Sequence, residues 1–293
     1  MTRIPCLSTF SIVGYDPQTQ EWGIAVQSKF LAVGAVVPWA QAGAGAVATQ
    51  SYANTSFGPN GLALMAQGLS AQEALDQLIA EDEGHALRQV GLVDAQGRAA
   101  TFTGDECYDW AGGVTGTYYA AQGNILVSSA TVEAMAKTFE EAHGELSDRL
   151  VAALAAGQAA GGDRRGRQSA AVLVVRPEGG YGGYNDRYMD LRVDDDPEPI
   201  ERLKALVELH HLFFKPPEPG EMIAIEGELA REVQQILQWA QFYDGPITGE
   251  YDAPTRKDLA ALIGNENFEE RFDEEKGLIS YQVMDVLREK FAR

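Results

Sequence analysis

Acyl transfer needs a nucleophile and a base, and an N-terminal threonine or serine supplies both, because its own α-amine can take the hydroxyl proton. The opening apolar run, Thr9-Phe-Ser-Ile-Val-Gly, starts on such a hydroxyl, so Thr9 is the candidate nucleophile. Other routes lack their residues. The sequence has neither a Gly-x-Ser-x-Gly elbow nor a Gly-x-x-x-x-Gly-Lys-Ser/Thr phosphate loop. Its histidines are His85, His143, His210 and His211, without Cys-x-x-Cys or His-Glu-x-x-His spacing, so neither a metal nor a cofactor is expected. The pair His210-His211 reads as a satisfied surface or interdomain pair. Cys6 is the competing nucleophile and would need a base of its own.

Supporting groups can be named by type. Lys29 is a cation able to lower a nucleophile's pKa or hold a carboxylate; a solvated lysine at a strand end is the plain alternative. Asn54 and Asn124 carry N–H groups that can meet an oxyanion, a contact worth about 2.7–4 kcal/mol in catalysis. Asparagines bonding a turn are equally common. Asp163, Arg164, Arg165 and Arg167 form a rare basic cluster able to clamp a substrate carboxylate, or else an ion-paired loop.

Elements to hold these residues follow from the pattern. Thr9 to Tyr15 and Trp22 to Lys29 flank the turn dipeptide Asp16-Pro17 and predict an antiparallel pair; segments 34–41 and 45–52 predict a second. Helices are expected over 59–68 and 71–82, the latter behind the capping box Ser70-Ala-Gln-Glu73. Strands at 88–94 and 98–103 come next, then 118–127, helices over 130–143 and 146–160, and strands at 169–175 and 188–193. Glycine clusters at 43–45, 112–116 and 179–183 read as turns. Helices grouped between antiparallel strands predict an α+β layered sandwich rather than a βαβ repeat. A bridging helix near 199–214 leads to Lys215-Pro-Pro-Glu-Pro-Gly220, a stiff linker. Beyond it, three amphipathic segments predict a small helical module. The expected domains are 1–215 and 221–293.

At 45% hydrophobic and 23% charged residues, the chain has a globular rather than a disordered composition. Its net charge of -20, shared by both halves, argues against nucleic acid and anionic membrane surfaces as partners. No apolar run is long enough to span a bilayer, and the N-terminus lacks a secretory pattern, so a cytoplasmic location is expected.

Five blocks carry a resemblance: Thr9-Phe-Ser-Ile-Val-Gly, Trp22-Gly-Ile-Ala-Val-Gln-Ser-Lys29, Gly43-Ala-Gly-Ala-Val-Ala-Thr-Gln50, Ala121-Gln-Gly-Asn-Ile-Leu126 and Gly162-Asp-Arg-Arg-Gly-Arg-Gln-Ser169. They resemble the signature segments of the bacterial domain-of-unknown-function family 1028, classed with the Ntn-hydrolases. The resemblance implies a four-layer αββα Ntn-hydrolase-like sandwich. It also implies an amidohydrolase acting on a small amide or acylated amino compound: Thr9, Lys29, Asn54 and Asn124 would be catalytic, and Gln50, Asp163, Arg164 and Arg167 would bind substrate. In shorter family members the threonine directly follows the initiator methionine, whereas here eight residues precede Thr9. The chain is therefore either processed to expose that amine, or a non-catalytic binding or scaffold protein. The stretch from Gln234 to Thr255 is similar to the core of peptidoglycan-binding domains, which implies a small all-α domain. A glycan or peptidoglycan fragment would meet Tyr243, Gly249, Asp252 and Thr255, unless these only cap and turn the chain. A homo-oligomer is expected.

Overall fold

The structure, a computed structural model, describes residues 9–218 and 220–291. Cys6, and Pro219 of the proline-rich stretch, lie outside the described residues. The chain forms two compact units, one ending at Val207 and the next beginning at Glu208, so the division falls within a helix and before the prolines. No helix among the described residues is long and apolar enough to cross a membrane.

The first unit is mixed α/β. In chain order it runs β1 Thr9–Asp16, β2 Glu21–Ser28, β3 Pro38–Gln41, β4 Gly45–Ser51, α1 Phe57–Ala66, α2 Ala71–Ala80, β5 Arg88–Asp94, β6 Ala99–Thr103, β7 Gly112–Gly116, β8 Tyr119–Asn124, α3 Ala130–Glu141, α4 Leu146–Ala159, β9 Ser169–Val175 and β10 Arg187–Val193. It ends in the first part of α5, Pro199–Phe214. One sheet has the order β10-β9-β2-β1-β8-β7 and the other β3-β4-β5-β6, every neighbouring pair antiparallel.

Alternation along β1 shows what this arrangement demands. Phe10 and Ile12 enter a core shared with Met135 and Phe139 of α3 and Leu150 and Leu154 of α4, while Val13 and Tyr15 enter another shared with Ala46, Ala48 and Val93 of the four-stranded sheet. Both faces of the strand are covered, so all eight of its residues are buried. On the four-stranded sheet, Val47, Val90 and Leu92 pack instead against α1 and α2 through Leu62, Met65, Leu75 and Leu78. The capping box expected at Ser70 forms: Glu73 N–H donates to the Ser70 hydroxyl, and the Glu73 carboxylate accepts from Ser70 N–H at 2.8 Å.

The glycine cluster at 112–116, expected as a turn, is instead the edge strand β7. A Cβ on Gly113 would lie 2.8 Å from Thr101 Oγ1, so the strand sits too close to its neighbour for a side chain there.

The second unit holds β11 Met222–Ala224, α6 Gly227–Trp239, α7 Ala253–Glu266, β12 Phe272–Asp273, β13 Leu278–Ser280 and α8 Tyr281–Phe291. The expected all-α module is corrected by a three-stranded antiparallel sheet, β11-β13-β12. Its strands of two or three residues are too short to show a period of two in sequence. The core joins Val233, Ile236 and Leu237 of α6, Leu259 and Leu262 of α7, Ile279 of β13, and Val283 and Leu287 of α8.

Candidate functional site

Thr9 opens β1, flanked by Ser28 at the end of β2 and Asn124 at the end of β8. By the strand's alternation its side chain shares a face with Ser11 and Val13, toward the four-stranded sheet. Along that face the interior changes character. One end is apolar, where Trp22 stacks on Tyr15 at 4.9 Å and donates its Nε1–H to Asp94 O at 3.0 Å. The Thr9 end is built from neutral amides and hydroxyls: Thr9, Ser11, Ser28, Gln50, Gln89, Gln122 and Asn124 are all buried.

Their hydrogen bonds have a fixed direction. Gln89 Nε2 donates to Gly123 O at 2.8 Å and to Thr103 Oγ1 at 2.9 Å, which turns its Oε1 toward Gln50 Nε2 at 2.8 Å and Asn124 Nδ2 at 2.9 Å. Gln50 Oε1 then accepts from the Ser11 hydroxyl at 2.7 Å, and Ser11 Oγ accepts from Gln122 Nε2 at 2.7 Å. A second proton on Gln50 Nε2 meets Thr9 O at 3.3 Å. The Thr9 hydroxyl donates to Ser28 Oγ at 3.3 Å. Such a network stays buried only because its donors find acceptors.

Two strand ends beside it are strained. Ser51, after Gln50, has φ 67°, and Ile125, after Asn124, has φ 53°. A β-branched residue in the left-handed region is an outlier, and conformations of this kind cost about 1–3 kcal/mol and gather at functional sites. Backbone bonds hold the turn at Ile125, its N–H to Tyr108 O and its carbonyl to Arg164 N–H, both at 3.0 Å.

The structure brings Thr9, Gln50 and Asn124 into one network and disposes the remaining expected residues around or apart from it. Lys29 is exposed, with Nζ 3.3 Å from Arg167 O. Asn54 bonds its own turn, accepting from Ser56 N–H at 3.2 Å and from the Ser56 hydroxyl at 2.7 Å, and its Nδ2 reaches Asp82 at 3.4 Å. Asp163 is buried, accepting from Lys29 N–H at 2.9 Å and from Arg165 N–H at 2.8 Å, and pairs with the Arg165 guanidinium. Arg167 pairs with Glu198. Arg164 is exposed, with no ion pair to its guanidinium among the described residues. The Cys107 thiol, 3.5 Å from Ser51 Oγ, is pushed up by burial and so stays protonated and poorly nucleophilic.

Gln89, Gln122 and Ser11 were not among the expected site residues. Ser11 and Gln122 had a signal, since Thr9-x-Ser11 and Gln122-x-Asn124 place polar residues two apart inside apolar strands and hence on one face.

In the second unit, the four expected residues are engaged internally. Tyr243 is buried, its hydroxyl donating to Pro246 O at 2.9 Å. Gly249 takes φ 81°. Asp252 caps α7, accepting from Thr255 N–H at 2.9 Å, and the Thr255 hydroxyl and N–H hold its carboxyl below the usual range. Thr255 itself is buried beside Gln234, whose Oε1 accepts from Thr248 and Gly249 N–H and whose Nε2 lies 3.0 Å from Thr255 Oγ1. Gln234 was missed as the organiser of this loop. Arg271, also missed, is buried, with Nε on Leu212 O and Nη2 on His211 O at 3.0 Å each, and an ion pair to Glu221.

None of the curated proteins matches the chain. Residues 212–287 match the model described as "Putative peptidoglycan binding domain". Anbu (ancestral beta-subunit) from Yersinia bercovieri aligns with 72% of this chain and 99% of its own at 12% identity, but a TM-score of 0.31 is too low to argue a shared fold. Protein SPO2555 from Silicibacter pomeroyi is 33% identical over 70% of this chain and 89% of its own, with a TM-score of 0.64. Residues 9–203 match the family of unknown function DUF1028, the family named for the Silicibacter structure, and the chain belongs to it.

Proposed function

We propose that the first unit is a four-layer αββα Ntn-hydrolase-like sandwich and that the protein is a latent amidohydrolase acting on a small amide or acylated amino compound. The observation that carries this reading is the placement of Thr9 at the polar end of the interior, its hydroxyl on Ser28 and its carbonyl on Gln50 Nε2, which shares the Gln89 side-chain oxygen with Asn124. In the proposed reaction, Thr9 Oγ attacks the amide carbon while the Thr9 α-amine takes the hydroxyl proton and passes it to the leaving amine; water then hydrolyses the ester. Asn124 and Gln50 carry the amide N–H groups that would meet the oxyanion, Gln50 by releasing a bond it makes to Gln89 or to Thr9 O. Latency follows from chemistry, because an amide nitrogen bonded to Ser8 cannot accept that proton. The second unit, in this reading, recognises a glycan or peptidoglycan fragment.

One observation favours the non-catalytic alternative. Thr9 is wholly enclosed, its hydroxyl bonded to Ser28, and the Lys29 ammonium contacts Arg167 O rather than Thr9. The two readings part on a chain beginning Met-Thr9, from which methionine removal exposes the amine, compared with the full chain and with Thr9→Ala on a panel of amides. Hydrolysis confined to the exposed threonine supports the enzyme. A shortened chain that hydrolyses nothing, or an active Thr9→Ala, leaves the binding reading.

A further inference from the structure

We infer that Arg164 anchors an anionic oxygen pair, a carboxylate or a phosphate, on the compound whose amide Thr9 attacks; this rests on the reading of Thr9 as nucleophile. Strand β1 runs between β2 and β8, and the segment 163–168 is tied to both neighbours at the Thr9 end. On the β2 side, Asp163 accepts from Lys29 N–H at 2.9 Å and Gln168 N–H donates to Ser28 O at 3.1 Å. On the β8 side, Arg164 N–H donates to Ile125 O at 3.0 Å, and Asp163 bridges to Leu126. The segment thus borders the strand end at which Thr9 sits.

Its three arginines are in different states. Arg165 is committed to Asp163 and Arg167 to Glu198, and these pairs hold the loop's shape. Arg164, fixed at its backbone one residue beyond Asn124, is exposed, and no carboxylate among the described residues pairs with it. A guanidinium offers a planar fork of donors that matches two oxygens of a carboxylate or phosphate, and it stays charged at any physiological pH. In a chain of net charge -20 this is a cation that no carboxylate among the described residues neutralises. The amide-bearing interior holds the neutral, reacting part of the substrate, while the anion stays at the solvated rim, where its charge is not buried.

The test has two arms. Arginine Nε–H signals of the full chain are followed by NMR during titration with N-acetylglycine and, separately, with inorganic phosphate. A saturable shift centred on Arg164, absent in Arg164→Gln and retained in Arg202→Gln, is expected, and the more potent anion identifies the source. No shift with either anion overturns the inference. In a chain beginning at Thr9, Arg164→Gln should raise KM for an acylated amino acid about tenfold or more, with kcat and the KM for its neutral methyl ester unchanged. An equal effect on acid and ester also overturns it. If no amide is hydrolysed while the Arg164 shift persists, the anion site stands and the Thr9 reading fails.

Discussion

Replacing Gln89 by methionine is the sharpest perturbation of the polar interior, because methionine keeps the length and volume of glutamine and removes only its polar ends. Gln89 Nε2 bonds Gly123 O at 2.8 Å and Thr103 Oγ1 at 2.9 Å, and Oε1 accepts from Gln50 and Asn124 at 2.8 and 2.9 Å. Gln89→Met therefore leaves the Gly123 carbonyl and one N–H on each of Gln50 and Asn124 short of a partner. A buried group so stranded costs about 1–3 kcal/mol, which sets an expected loss of at least about 3 kcal/mol. A surface substitution would change stability by about 0.5 kcal/mol or less. Urea unfolding followed by tryptophan fluorescence in a Trp239→Phe background reports on Trp22, Trp39 and Trp110 of the first unit. The midpoint should fall with the slope unchanged. A loss below about 1 kcal/mol would refute the claim that Gln89 organises this interior.

Further expectations follow from the same geometry. A Cβ on Gly91 would lie 2.1 Å from Gln122 Oε1, so Gly91→Ala should displace Gln122 from Ser11 and cost about 1–3 kcal/mol in the same assay; a neutral outcome would mean that Gln122 moves freely. Arg271→Met strips a buried ion pair and two carbonyl contacts from the second unit and should cost about 3–5 kcal/mol, read by calorimetry; an unchanged transition contradicts it. Burial raises the Glu21 carboxyl above its ordinary value of 4.5 despite Arg176, whose Nη1 lies 2.9 Å away. The folded chain thus binds this proton more tightly than the unfolded chain, so the associated stability is complete below pH 4.5 and declines as pH rises through the folded value. Glu21→Gln should flatten that decline in urea midpoints taken from pH 4 to 7, and an unaltered slope would show that Glu21 is not its source.

Legibility in the sequence followed the length of the patterns. Helices α1 to α4 and strands β1, β2, β5 and β9 repeat apolar residues over seven residues or more, enough to show their period. Strand β7 did not show, because Gly112, Gly113 and Gly116 have no side chains to alternate. Strands β11, β12 and β13 are shorter than one alternation can reveal. Within the site, residues on β1 and β8 could be paired by spacing, whereas Gln89 comes from the opposite sheet, and no local pattern tells which strand will face which. The same limit applies to Asn54, whose type suits an oxyanion donor but whose side chain closes its own turn, as asparagines commonly do. Gln234 and Arg271 act through partners far along the chain, and polar residues on helices or turns read simply as exposed.

If Thr9 becomes a nucleophile once its amine is free, covalent capture will reveal it. A chain beginning at Thr9, the full chain and a shortened Thr9→Ala chain are incubated with a β-lactone, and intact mass and peptide mapping locate any adduct. One adduct is expected, an ester on Thr9 of the shortened chain alone. An unmodified Thr9 in that chain, or equal labelling of the Thr9→Ala protein, would contradict it.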